Sequence, residues 1–140
     1  MGTKTRRSSV IATRTFRLGP KGARVKVSLG NPEPDPRSEN DDWRCPYRIS
    51  GLGTSRVRYA YGIDAFQSLQ LALVGIRAHL EPRRRQLKWD GGTLESAFPR
   101  VVPAGFGQGL TGRIEKFIDR ETAELRRELE HRYKTRRRET

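Results

Sequence analysis

Apolar and polar residues alternate over four stretches in the first half of the chain. Ala23, Val25, Val27 and Leu29 alternate with Arg24, Lys26 and Ser28, and Trp43, Cys45, Tyr47 and Ile49 alternate with Arg44, Pro46, Arg48 and Ser50. A period of two marks a strand with one buried face. Val57, Tyr59 and Tyr61 against Arg56 and Arg58 continue the pattern, and a less regular run from Val10 to Leu18 precedes it. Gly19-Pro20-Lys21-Gly22 is a turn that makes the first two runs a hairpin, and residues 50–55 form a second turn. Pro46 has no N–H to give to a ladder, so its strand is expected at an edge or at a bulge. Residues 30–42 hold three prolines and five acids and are expected to be a mobile loop.

The period then changes. Asp64 is placed as an N-cap with Gln67 three residues on, which predicts a helix over Ala65–Leu80 that Pro82 stops. Phe66, Leu69, Leu73, Ile76 and Leu80 are the stripe expected to face the sheet, and Ala65, Ala72 and Gly75 are small enough for close approach. The polar side of this helix is thin and includes Val74. Leu87-Lys88-Trp89 before Asp90-Gly91-Gly92 suggests a short hairpin, and Pro99 and Pro103 bracket an extended segment. A second helix is predicted from about Gly112 to Tyr133, with Ile114, Ile118, Leu125 and Leu129 on one side and charges elsewhere. Glu121 and Arg132 break its heptads, which argues against a long coiled coil. Two readings stand for it: packing on the domain, or a short contact with a second copy in a homodimer.

The order predicts an α+β fold: a four-stranded antiparallel meander covered on one face by a helix, plus a long charged C-terminal helix. The expected organisation is a basic disordered arm at 1–8, a core domain at 9–103, a Gly-rich connector at 104–111, and the charged helix with its basic tail at 112–140.

Charge gives the sheet a polarity. The chain of 140 residues carries 29 Lys and Arg against 16 Asp and Glu, a net charge of +13, and residues 1–30 contain no acid. Arg17, Arg24, Lys26, Arg44, Arg48, Arg56 and Arg58 fall on the polar sides of the four strands, with no Asp or Glu among them. One apolar and one cationic face follow, and a cationic face wants an anionic partner. The residues expected to contact it are Arg24, Lys26, Arg44, Arg48, Arg56 and Arg58, assisted by Arg83, Arg84 and Arg85 and by the basic termini. Trp43, Tyr47, Tyr59 and Tyr61 are expected on the apolar face, which favours phosphate contacts over base stacking. The partner is nucleic acid, DNA or RNA, on the first reading. On the second it is an acidic protein, with this chain an inhibitor, immunity-type protein or adaptor. The plain alternative to both is a solvated face rich in arginine.

No catalytic, metal-binding or cofactor-binding set is expected, and the chain reads as a non-enzymatic cytoplasmic protein. Gly107-Gln108-Gly109-Leu110-Thr111-Gly112 spells a dinucleotide fingerprint but lacks the buried strand that should precede it. His79 and His131 stand alone on helices, without ligands at metal spacing. The single cysteine, Cys45, sits on the apolar side of its strand and reads as a small core residue suited to a reducing compartment. The longest apolar stretch, around Leu69–Ile76, is too short to span a bilayer.

Three groups of residues carry a resemblance: Trp43-x-Cys45-x-Tyr47, the run Tyr61-Gly62-Ile63-Asp64-Ala65-Phe66-Gln67-Ser68-Leu69-Gln70-Leu71-Ala72, and Phe98-Pro99-Arg100-x-Val102-Pro103. With them the chain resembles a family of small uncharacterised bacterial proteins, a domain of unknown function. The resemblance implies a fold unit and no activity, and no site residue is carried over from it.

Overall fold

A computed structural model describes residues 9–102 and 105–139. The basic arm at 1–8, together with Pro103, Ala104 and Thr140, lies outside the described residues. The chain falls into two compact units, one ending at Arg100 and the other beginning at Val101.

The first unit is α+β. Strand β1 (Val10–Leu18) turns through Gly19–Gly22 into β2 (Ala23–Gly30). Gly19 and Gly22 both take positive φ there, which a side chain would resist. The short β3 (Glu33–Pro34), β4 (Trp43–Ser50) and β5 (Arg58–Gly62) follow. β1 pairs with β2, β2 with β4 and β4 with β5, all antiparallel, which is the predicted meander. Two additions extend it. β6 (Leu87–Lys88) pairs with the free edge of β1, and β3 pairs with the start of β4.

β4 therefore has partners on both sides, so of the two expectations for Pro46, an edge or a bulge, the edge does not hold. The ladder to β2 stops at Tyr47 and the ladder to β3 begins at Arg44, so Pro46 falls in the gap between them. Gly30 makes room for the ring: a Cβ there would lie 2.6 Å from Pro46 Cγ. Residues 35–42 close on themselves, with the Asp35 N–H donating to the Asp42 carbonyl at 2.8 Å and the Ser38 hydroxyl donating to Asp42 Oδ2 at 2.8 Å.

Helix α1 (Ala65–Leu80) starts as predicted. The Asp64 carboxylate accepts from the Gln67 N–H at 2.7 Å, and Gln67 Oε1 accepts from the Ile63 N–H at 2.7 Å. Ile76 and Leu80 of the predicted stripe are buried and Leu69 packs against the core, but Phe66 and Leu73 are not buried. Ser68, Ala72, Ile76, Arg77 and Leu80 are buried, whereas Phe66 is 78% exposed and Leu73 38%. The cause is small against small. A Cβ on Gly62 of β5 would lie 2.5 Å from the Ser68 nitrogen, and one on Gly75 would lie 2.7 Å from the Tyr47 hydroxyl. Close approach brings Ser68 and Ala72 to the interface beside Ile76 and Leu80 and leaves Phe66 and Leu73 turned outward.

Phe16, Val25, Val27, Leu29, Cys45, Tyr47 and Ile49 form the sheet side of the core. Leu87 of β6 joins them, Ala72, Ile76 and Leu80 of α1 cover part of this surface, and Leu94 and Ala97 cover the rest from the segment that follows. That segment runs through a 3-10 turn (Glu81–Arg83), β6 and the single-turn helix α2 (Leu94–Ala97). Two guanidinium groups hold its end: Arg14 donates to the Ala97 carbonyl and Arg77 to the Phe98 carbonyl.

The second unit contains α3 (Gln108–Arg138), which begins before the predicted Gly112 and takes Gly109 and Gly112 into its first turns. None of its described residues is buried. Phe117, Ile118, Leu125, Leu129 and Tyr133 are all exposed.

Candidate nucleic-acid interface

Residues paired across antiparallel strands point to the same side of the sheet. The register therefore fixes the face of every strand residue. Val27 pairs with Ile49 and Phe16 with Val25, which defines the helix-covered side. On the other side Arg17 pairs with Arg24, Thr15 with Lys26, Lys26 with Ser50, and Ser28 with Arg48. Lys88 of β6 pairs with Arg17 on the same side. Lys88, Arg17 and Arg24 thus stand in one row across three neighbouring strands. Like charges placed directly opposite each other are destabilising. Among the described residues Arg24, Lys26, Arg48 and Lys88 make no ion pair or side-chain hydrogen bond. Arg17 makes one long contact, 3.4 Å to the Gly22 carbonyl.

The predicted set is split by the fold. Arg24, Lys26, Arg44 and Arg48 share the open face. Arg44 is partly neutralised there, because its Nε donates to Glu33 Oε1 at 2.7 Å. Arg58 pairs with Tyr47 and so lies on the helix-covered side. Arg56 precedes β5 in irregular chain and, with Arg58, acts on His79 of α1. The expected place of Arg58 on the cationic face is corrected, and Arg56 lies outside the strand, where no register assigns it a face. Arg83, Arg84 and Arg85 lie in the turn between α1 and β6, where the Gln86 carbonyl accepts from the Gly19 N–H. Arg84 is engaged with Glu81 at 3.2 Å and Glu95 at 3.8 Å.

The aromatic residues of β5 are corrected in the opposite sense. Tyr61 pairs with Arg44 and Tyr59 with Pro46, so both tyrosines stand on the open cationic face. Ala60 and Gly62 take the inward positions under α1. The Arg44 guanidinium lies 4.2 Å from the Tyr59 ring centre, and the two tyrosine rings are 6.5 Å apart. Tyr61 is 52% exposed. Sequence reading missed these two residues because a tyrosine serves on either face. The signal available was the small Ala60 and Gly62 at the parity of Arg58, facing a helix with its own small residues.

The remaining polar groups have structural roles. Cys45 is buried, its thiol is pushed up to about 11 by burial first and by the Glu33 charge second, and Sγ donates to the Gly30 carbonyl at 3.5 Å. The His79 ring lies 6.1 Å from that of Tyr47, and its pKa is lowered by partial burial and then by Arg58 and Arg56. Arg14 lies over Trp89 at 4.3 Å and Phe98 at 5.2 Å, inside the helix-covered layer. Among the described residues no group of His, Cys, Asp or Glu could hold a metal ion, and no helix is long and apolar enough to cross a membrane. Gly107 has φ 97 at the start of α3, preceded by irregular chain rather than a strand.

These features define a small α+β domain with one helix-covered and one open, cationic sheet face. The chain belongs to the domain of unknown function DUF6968, whose family model matches residues 12–100. No curated protein and no solved structure matches the chain.

Proposed function

We propose that this is a non-enzymatic binding protein whose open sheet face engages the phosphates of a nucleic acid. The row Lys88–Arg17–Arg24 carries the reading. Three cations in cross-strand register repel one another, and a polyanion laid on the row turns that repulsion into attraction. Lys26 and Arg48 extend the surface, and Arg44 supplies part of its charge.

The test is a binding titration of DNA and RNA against salt concentration. Phosphate contacts predict an affinity that falls steeply, with a log–log slope set by the number of phosphates neutralised. Arg24→Glu with Arg48→Glu removes binding while leaving the folded state intact, since both side chains are exposed. Binding that survives the double substitution removes the sheet face from the proposal.

A second reading rests on α1. Its outer side exposes Phe66 at 78%, Val74 at 41% and Leu71 at 42%, next to Ile63 at 75%. An apolar helix face of this kind suits a protein partner, and an acidic partner would also meet the basic charge of the domain. Copurification with one acidic protein after nuclease treatment and high-salt washing favours this reading over the first.

A further inference from the structure

We infer that the open face is built for a single strand, with bases stacked on Tyr61 and Tyr59 where the cationic track ends. The inference rests on the phosphate-binding reading above and adds the class of nucleic acid to it.

The track follows from the pairing. Lys88, Arg17 and Arg24 form a cross-strand row, and Lys26 is the next residue of β2 on the same face. Arg48 is a diagonal neighbour of Lys26, because Lys26 pairs with Ser50 and Ser28 with Arg48. Tyr59 is in turn a diagonal neighbour of Arg48 through Pro46, and Tyr61 follows it along β5 beside Arg44. Diagonal neighbours in a sheet are about 7–8 Å apart, within reach of long side chains. At ordinary strand spacings the line from Lys88 to Tyr61 covers about 30 Å.

The chemistry changes along this line. Its first part offers charge and no ring, which suits phosphate. Its last part offers two exposed rings and an arginine already partnered by Glu33, which suits the flat face of a base. Positive grooves that end on aromatic side chains are how proteins hold single strands, because every base has a stacking face. The bases of a duplex are paired and stacked on each other, and they present no free face to a flat sheet. Arg44 lies over Tyr59 and takes up one side of that ring. Tyr61, at the outer strand of the sheet and 52% exposed, is the platform open to a base.

The experiment compares three probes of about ten nucleotides: a single strand, the same strand with abasic sites throughout, and the duplex. Each is titrated against the full chain at one low salt concentration. The inference expects the strand with bases to bind about tenfold tighter than the abasic strand, which carries the same phosphates. Tyr61→Ala should remove most of that difference, and Tyr61→Phe should keep it, since the ring and not the hydroxyl is used. Thermal unfolding of both variants reports whether the fold is kept. Equal affinity for the strands with and without bases overturns the inference and leaves the phosphate reading in place, as does a Tyr61→Ala protein that is folded and binds like the parent. Failure of all three probes to bind overturns both.

Discussion

Arg17 and Arg24 are paired directly across β1 and β2, two cations on one face with no acid between them. A sheet selected for stability alone would place a Thr or a Glu at one of these positions. The first prediction is that Arg24→Thr stabilises the free protein at low salt, by about 0.5 kcal/mol. The gain should shrink as salt screens the repulsion. Urea unfolding of both proteins at low and high ionic strength measures it. An unchanged midpoint at low salt would show that the two guanidinium groups splay apart in solution.

Glu33 partners Arg44 at 2.7 Å and holds it off the track. Glu33→Gln should release Arg44 for phosphate, tighten nucleic-acid binding and steepen its salt dependence by about one unit of log–log slope. Because the Glu33 charge helps to raise the Cys45 thiol, the same substitution should also lower that pKa from about 11. Thiol titration by ultraviolet absorbance gives the second readout independently of binding.

The meander, the capped start of α1 and the buried position of Cys45 were all legible in the sequence, because period and cap chemistry are local. The face of β5 was not. Arg56-Val57-Arg58-Tyr59-Ala60-Tyr61-Gly62 alternates, but either parity puts a tolerable side chain under the helix, and the choice depends on how near α1 comes. With a Cβ on Gly62 only 2.5 Å from the α1 backbone, the helix accepts Ala60 and Gly62 beneath it and rejects Tyr59 and Tyr61. The same contact rotates α1 so that Ser68 and Ala72 face inward and Phe66 outward. One close approach between two elements therefore moved two tyrosines onto the cationic face and moved Arg58 off it. No period within either element records that approach.

Arg77 illustrates a charge with a purely structural role. It is 8% exposed, its Nε donates to Glu81 Oε2 at 2.8 Å, and Nη1 donates to the Phe98 carbonyl beyond α2. Arg77→Leu should destabilise the domain by about 2 kcal/mol, chiefly through loss of the part-buried hydrogen bond to the Phe98 carbonyl, since the Glu81 carboxylate is exposed to solvent. Hydrogen exchange should show the loss concentrated at residues 94–98. Nucleic-acid affinity should not change at temperatures where the variant is folded, because Arg77 lies on the side of the sheet opposite the cationic track.

His79 gives a spectroscopic reporter for Arg58, which the fold takes away from the open face, and for Arg56 just before it. Partial burial, then Arg58, then Arg56 lower its pKa from the usual histidine value. The imidazole is therefore neutral in the folded protein over a range in which the unfolded chain begins to protonate. Its contribution to stability is intact above the unfolded pKa and declines as pH falls from there toward the lowered folded value. Arg58→Gln should raise the folded pKa and shift that decline to a smaller effect, followed by proton NMR of the His79 ring. The same resonance separates the two faces. An oligonucleotide bound on the track through Arg24, Lys26 and Arg48 should leave the His79 pKa unchanged at constant ionic strength. An oligonucleotide held by Arg56 and Arg58 would place phosphates against those guanidinium groups, offset their repulsion of the imidazolium and raise the pKa. A rise on binding would assign the interface to the helix-covered side and remove it from the open face.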